Sequence, residues 1–205
     1  MSHPQRLIAV GCLLLLMPLF GCGGKAATVN YYSLQAATPQ YDRRSEQPAA
    51  VSVGVGPVRL PQLLKRPQLV TRDDAYRVVH AEADRWSGDL QEEIVYLLAD
   101  NLARQLGSEQ IVIFPWPSRL APDWQLRVDI QRLDGVLGQA AYLEARWVLS
   151  NRREDLLLSG FKRSREALEQ PGYQALVAAQ GRLLERFGRE MAEQIRLRTT
   201  ASPPP

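Results

Sequence analysis

Asp73, Asp74, Glu82 and Asp84 sit close together in the chain with His80 among them, and carboxylates beside an imidazole are the parts of a general acid and base pair. Their surroundings argue against that use. Asp73 and Asp74 fall between two extended runs, "QLVTR" and "AYRVVHA", where aspartate is a turn-forming residue. His80 lies inside a strand-like run without the several convergent groups a catalytic site requires. Alone it cannot make a zinc site, and no Cys, His, Asp or Glu cluster has ligand spacing. "VGVGPV" has the glycines of a phosphate loop but neither its G-K-[ST] ending nor a helix directly after it, and reads as a strand. There is no G-x-S-x-G elbow and no S-x-x-K serine suited to acylation. The pattern is that of a protein that is not an enzyme and holds no metal or diffusible cofactor.

The cysteines carry the remaining chemistry. Leu7 to Phe20 is an apolar run of fourteen residues behind Arg6, shorter than the roughly 20 residues of a membrane-spanning helix and typical of a signal peptide. Leu19, Phe20, Gly21 and Cys22 resemble the L-x-G-C lipobox of bacterial lipoproteins. In that class the sulfur takes a diacylglycerol, the leader is cut before the cysteine, and the new amine is acylated. The same run could serve an ordinary cleaved signal or an uncleaved anchor, but the lipobox favours lipidation of Cys22. Cys12 leaves with the leader, so no thiol pair remains for a disulfide. Several acyl chains hold a protein to a bilayer firmly. Gly23 stands where an aspartate would mark inner-membrane retention in enteric lipoproteins, which favours the periplasmic face of the outer membrane.

The chain has 205 residues, and taking Arg6 of the leader from its 25 lysines and arginines leaves 24 against 22 acidic residues, about +2. Such a balance carries no footprint for nucleic acid. The segments read as a leader over 1–21, a lipidated N-terminus and short tether over 22–29, one domain over 30–197 and a disordered tail over 198–205. That domain is long enough for a real core.

"NYYSL" reads as a short strand and 35–50 as a proline-marked loop. Val51, Val53 and Val55 alternate with small residues, and "LPQLLKRP" is bracketed by prolines and cannot be a central strand. Ser87 starts a helical signal in which Leu90, Ile94, Leu97, Leu98, Leu102 and Leu106 recur until Gly107 stops it. "IVIF" is a short buried-type strand. Trp124, Leu126, Val128 and Ile130 alternate with polar residues, as do Leu143, Ala145, Trp147 and Leu149, so both strands have one wet face. "DLLLSGFKRSRE" adds a strand, and an apolar stripe runs from about Gly172 to Arg196. The fold class is α+β: a mostly antiparallel or mixed sheet of about six to seven strands with two long amphipathic helices on one face.

The segment "LLKRPQLVTRDDAYRVVHAEADRWSGDL" resembles the signature of the PqiC family, the ABC-type transport auxiliary lipoproteins. The matching residues are Arg66, Pro67, Gln68, Leu69, Val70 and Arg72, then Arg85, Trp86 and Leu90, with "YYSL" fitting the family opening. The resemblance runs from Tyr31 to about Arg196. Ser87 and Gly88 depart from the alanine and bulkier residue usual there, which leaves the helix start open. The resemblance implies an outer-membrane lipoprotein, assembling as a homo-oligomer, that docks the periplasmic subunit of an MCE-type lipid transport system and contributes to envelope integrity. An assembly or plug lipoprotein for an outer-membrane β-barrel is the alternative.

The partner-interface candidates are Leu63, Leu64, Arg66, Gln68, Arg72, Arg85, Trp86 and Trp116. Leu63 and Leu64, between two prolines, form either an apolar knob or a tuck under the sheet edge. Trp116, between Pro115 and Pro117, is either an interface anchor or a cap on its own core. Arg66 and Arg72 pair either across a subunit boundary or with a nearby group, and Trp86 packs at the helix start.

Overall fold

The computed structural model describes residues 28–34, 51–74, 76–152 and 157–201. Cys22, the leader expected over 1–21, most of the tether expected over 22–29 and the loop expected over 35–50 lie outside them, as do residues 202–205. The described chain runs through strands β1 (Asn30–Tyr32), β2 (Val53–Arg59), β3 (Gln68–Arg72) and β4 (Val78–Trp86), helix α1 (Leu90–Leu106), β5 (Ile111–Ile113), β6 (Trp124–Val136), β7 (Ala140–Asn151), β8 (Leu157–Ala167) and helix α2 (Tyr173–Ala201). The class is the expected α+β with two helices, but the strands are shared between two mixed sheets. Five form the order β5-β2-β6-β7-β8 and three form β1-β4-β3.

In the large sheet β2 runs parallel to both β5 and β6, while β6, β7 and β8 are antiparallel. Val53 and Val55 are completely buried in β2, as are Leu126 and Ile130 in β6 and Leu143, Ala145 and Leu149 in β7. Both helices pack on this sheet and on each other. Fully buried Leu176, Leu184, Phe187 and Ile195 make the inner stripe of α2. Gly188 lets the helices close up, because a Cβ there would stand 2.6 Å from Asn101 Oδ1.

The start of α1 is set by Asp89 rather than Ser87. Its carboxylate accepts from the backbone N–H groups of Gln91 at 2.8 Å and Glu92 at 3.1 Å, satisfying two of the donors a helix N-terminus leaves unpaired. Gly107 ends the helix at φ 61, the left-handed conformation that glycine adopts without strain. Helix α2 continues past Arg196 into the part of the chain read as tail, with Thr199 Oγ1 donating to the Ile195 carbonyl at 3.0 Å. No described helix is long and apolar enough to cross a membrane.

Register fixes which side chains share the face of the large sheet turned away from the helices. One row runs Arg59, Asp129, Arg146, Phe161 across β2, β6, β7 and β8. The next runs Arg132, Glu144, Arg163, and the third Asp134, Tyr142, Arg165. The opposite side of β8 points to α2, where Lys162 pairs with Glu190 at 2.5 Å and Glu166 pairs with Arg182 at 3.0 Å and with Arg186 at 2.5 Å.

Candidate interaction surface

The segment carrying the family phrase folds as the hairpin β3–β4. Asp74 Oδ1 accepts from the backbone N–H of Tyr76 at 2.7 Å and of Arg77 at 2.6 Å, the side-chain turn that aspartate makes readily. Asp73 pairs with Arg77 beside it, and that guanidinium holds the Asp73 carboxyl below the usual range. Both aspartates are thus turn residues. His80 is a half-buried strand residue opposite Val70, and its Nδ1 is buried without a hydrogen-bond partner. Among the described residues no group of three or more His, Cys, Asp or Glu could hold a metal ion.

The hairpin is not regular. Gln68 faces Arg85 and Val70 faces His80, so Ala81 to Asp84 all lie opposite Leu69. This wide bulge bends β4 toward β1, which pairs in parallel with Asp84 to Trp86. Asp84 Oδ1 then accepts from Asn30 Nδ2 at 3.0 Å and from the Tyr32 hydroxyl at 2.7 Å. Burial, with the Asp84 carboxylate next to it, pushes the Tyr32 phenol up to about 12. β1 is therefore fastened to β4 by these side-chain hydrogen bonds as well as by its ladder.

The same pairing sets Tyr31, Arg85 and Gln68 side by side across the three strands. Tyr31 is 65% exposed and the other two are half-buried, with Lys65 and Arg66 exposed next to them. Arg85 Nη2 reaches the Glu82 carbonyl at 3.5 Å, while its Nε is buried without a partner. Two of the candidates, Gln68 and Arg85, thus meet in one accessible row, Tyr31 joins them, and Arg66 is exposed two residues before Gln68.

The other candidates go elsewhere. Leu64 and Trp86 are buried in the core, and Leu63 packs half-buried against it, because the 3-10 turn Gln62–Leu64 folds the proline-bracketed segment inward. Neither Leu64 nor Trp86 is an exposed knob. Arg72 is engaged within the chain: its Nε and that of Arg132 each lie 2.6 Å from a different oxygen of Asp134, whose side chain is 2% exposed. This arrangement ties β3 to β6. Trp116 stands far from the row, beyond β5, half-buried over β2. Its ring meets Phe114 edge-on at 5.5 Å, and a Cβ on Gly54 would stand 2.6 Å from it. Its ring covers Gly54 of β2, and Phe114 is left half exposed.

The sequence reading passed over Phe161, Arg146, Arg163 and Arg165. Their signal is the alternation Phe161, Arg163, Arg165 along β8, which gains meaning only when register sets Arg146 beside it.

A family model described as ABC-type transport auxiliary lipoprotein component matches residues 32–192. No curated protein matches the chain. The crystal structure of an uncharacterized protein is similar at a TM-score of 0.67 and 20% identity, covering 82% of this chain and 99% of that one. That of a Xanthomonas campestris protein with the DUF330 family model gives 0.60 at 14% identity, covering 83% and 100%. At these identities the likeness is one of fold.

Proposed function

The chain belongs to the family of ABC-type transport auxiliary lipoprotein components, and from that premise we propose that it is the non-enzymatic docking subunit of an MCE-type lipid transport system. In this reading Cys22 carries the diacylglycerol and N-acyl chains, and they fix the protein to the periplasmic face of the outer membrane. The transporter's periplasmic subunit docks on the row of Tyr31, Arg85 and Gln68 and on Arg66, exposed just before β3. Transport energy comes from other subunits, and this chain contributes position and surface.

The observation that supports the reading most is this row. The part of the chain that carries the family phrase folds so that two of its polar residues, Gln68 and Arg85, meet the exposed Tyr31. Polar and aromatic groups at an accessible site with no catalytic partner suit recognition of a protein surface.

A photo-cross-linking residue in place of Tyr31, in the full chain in living cells, tests it. Cross-links to an MCE-type subunit, lost in Arg66→Glu/Arg85→Glu while the protein stays folded, are the expected result. Cross-links to a β-barrel protein alone would overturn the reading in favour of the assembly or plug role.

A further inference from the structure

The face of the large sheet turned away from the helices is unlike the rest of the surface. Phe161 is 45% exposed at its centre, and the guanidinium carbons of Arg146 and Arg163 both lie 5.5 Å from its ring centroid. In the neighbouring rows Arg132 stacks on Tyr142 at 4.3 Å. Of the three acids in these rows, Asp134 is committed to Arg72 and Arg132, Glu144 to Arg163 at 3.0 Å, and Asp129 stands beside Arg146 in the ladder, against the five arginines Arg59, Arg132, Arg146, Arg163 and Arg165. Arg146 and Arg165 are exposed and, among the described residues, make no ion pair. A mature chain of nearly balanced charge therefore concentrates positive charge on one flat side.

We infer that this face binds anionic phospholipid headgroups, with Arg146, Arg163 and Arg165 taking phosphate oxygens and Phe161 entering the interface between them. The guanidinium fork matches phosphate oxygens in pairs and is weakly hydrated, so it gives up water more readily than an ammonium. The ring face attracts a cation beside it, which holds the Arg146 and Arg163 guanidinium groups next to Phe161. An exposed phenylalanine among cations suits a boundary that is charged at its surface and apolar beneath it. An acidic protein surface would also take arginines and a ring; what favours a bilayer is the short link from the domain to Cys22.

Chain length makes a bilayer available. Cys22 precedes Thr28 by six residues, which span at most about 20 Å when fully extended. The inference rests here on the anchorage proposed above, which would hold the domain against its membrane so that weak headgroup contacts orient it. Each arginine near an anionic surface is worth roughly a fivefold change in binding.

The acylated mature protein is reconstituted in phosphatidylcholine vesicles with and without phosphatidylglycerol. A nitroxide is placed through Phe161→Cys, or through Tyr96→Cys on the exposed side of α1 as a control. The expected result with phosphatidylglycerol is that the label at 161 collides more with oxygen than with a water-soluble nickel chelate, while that at 96 stays in water. Arg146→Glu/Arg163→Glu/Arg165→Glu, with its circular dichroism unchanged, should return the first label to water. A label at 161 that remains aqueous, or that couples to a second label in a contact between copies, overturns the inference with the anchor intact. Protein that washes off pure phosphatidylcholine overturns the anchorage alone. Salt-sensitive sedimentation with phosphatidylglycerol vesicles, lost in the triple variant, would then still support the inference, and its absence would overturn it.

Discussion

Replacing Asp134 with alanine removes the carboxylate that two arginines share across the boundary between the sheets. Truncating one partner of a fully buried ion pair costs about 3–5 kcal/mol, largely because an uncompensated charge is left behind. In this site the carboxylate is buried but Arg72 and Arg132 keep 24% and 27% of their side-chain surface in water, so the stranded guanidiniums can rehydrate. The expected loss is therefore below that range, about 2–3 kcal/mol, or about 5–10 °C in Tm for a domain of this size. Arg72→Ala should cost less, about 1–2 kcal/mol, since Asp134 keeps Arg132. Urea unfolding followed by circular dichroism measures both, and the double variant isolates the coupling. A loss below about 0.5 kcal/mol for Asp134→Ala is what a solvated surface pair would give, and would refute the view that this carboxylate joins β3 to β6.

Gly54→Ala should destabilise by about 1–3 kcal/mol, because the new methyl would overlap the Trp116 ring and Pro122, and should shift tryptophan emission; unchanged stability and emission would mean Trp116 does not rest on β2. Glu166 is held below the ordinary carboxylate range, first by the hydrogen bond from Arg186 and then by that from Arg182. Its folded-state pKa is depressed, so its stabilisation is present above about pH 4.5 and lost as pH falls through the lowered value. Glu166→Gln should lower stability at pH 7 and flatten the loss on acidification, measured by unfolding across pH 7 to 3; parallel curves for the two proteins would contradict the pairing of β8 to α2.

What the sequence makes legible follows from the range of the forces involved. The alternation in β6 and β7 is local, and so is the leucine stripe of α1, so both could be read before the fold was known. The division into two sheets could not, because it depends on β2 pairing in parallel with β5 and β6 and on a bulge in β4 that hands its end to β1. Arg72 shows the same limit at one residue: its partner is 62 positions away, and only the approach of β3 to β6 brings the carboxylate to it. Surface charge carries the limit furthest. A polar residue at every second position marks the wet side of a strand whatever its sign. The sum of those signs over a whole face is a property of register, since a one-residue slip of β8 would turn Phe161, Arg163 and Arg165 toward the helix and Lys162 and Glu166 outward. The arginine face therefore exists only because the β6–β7 and β7–β8 ladders align strands that each look ordinarily amphipathic.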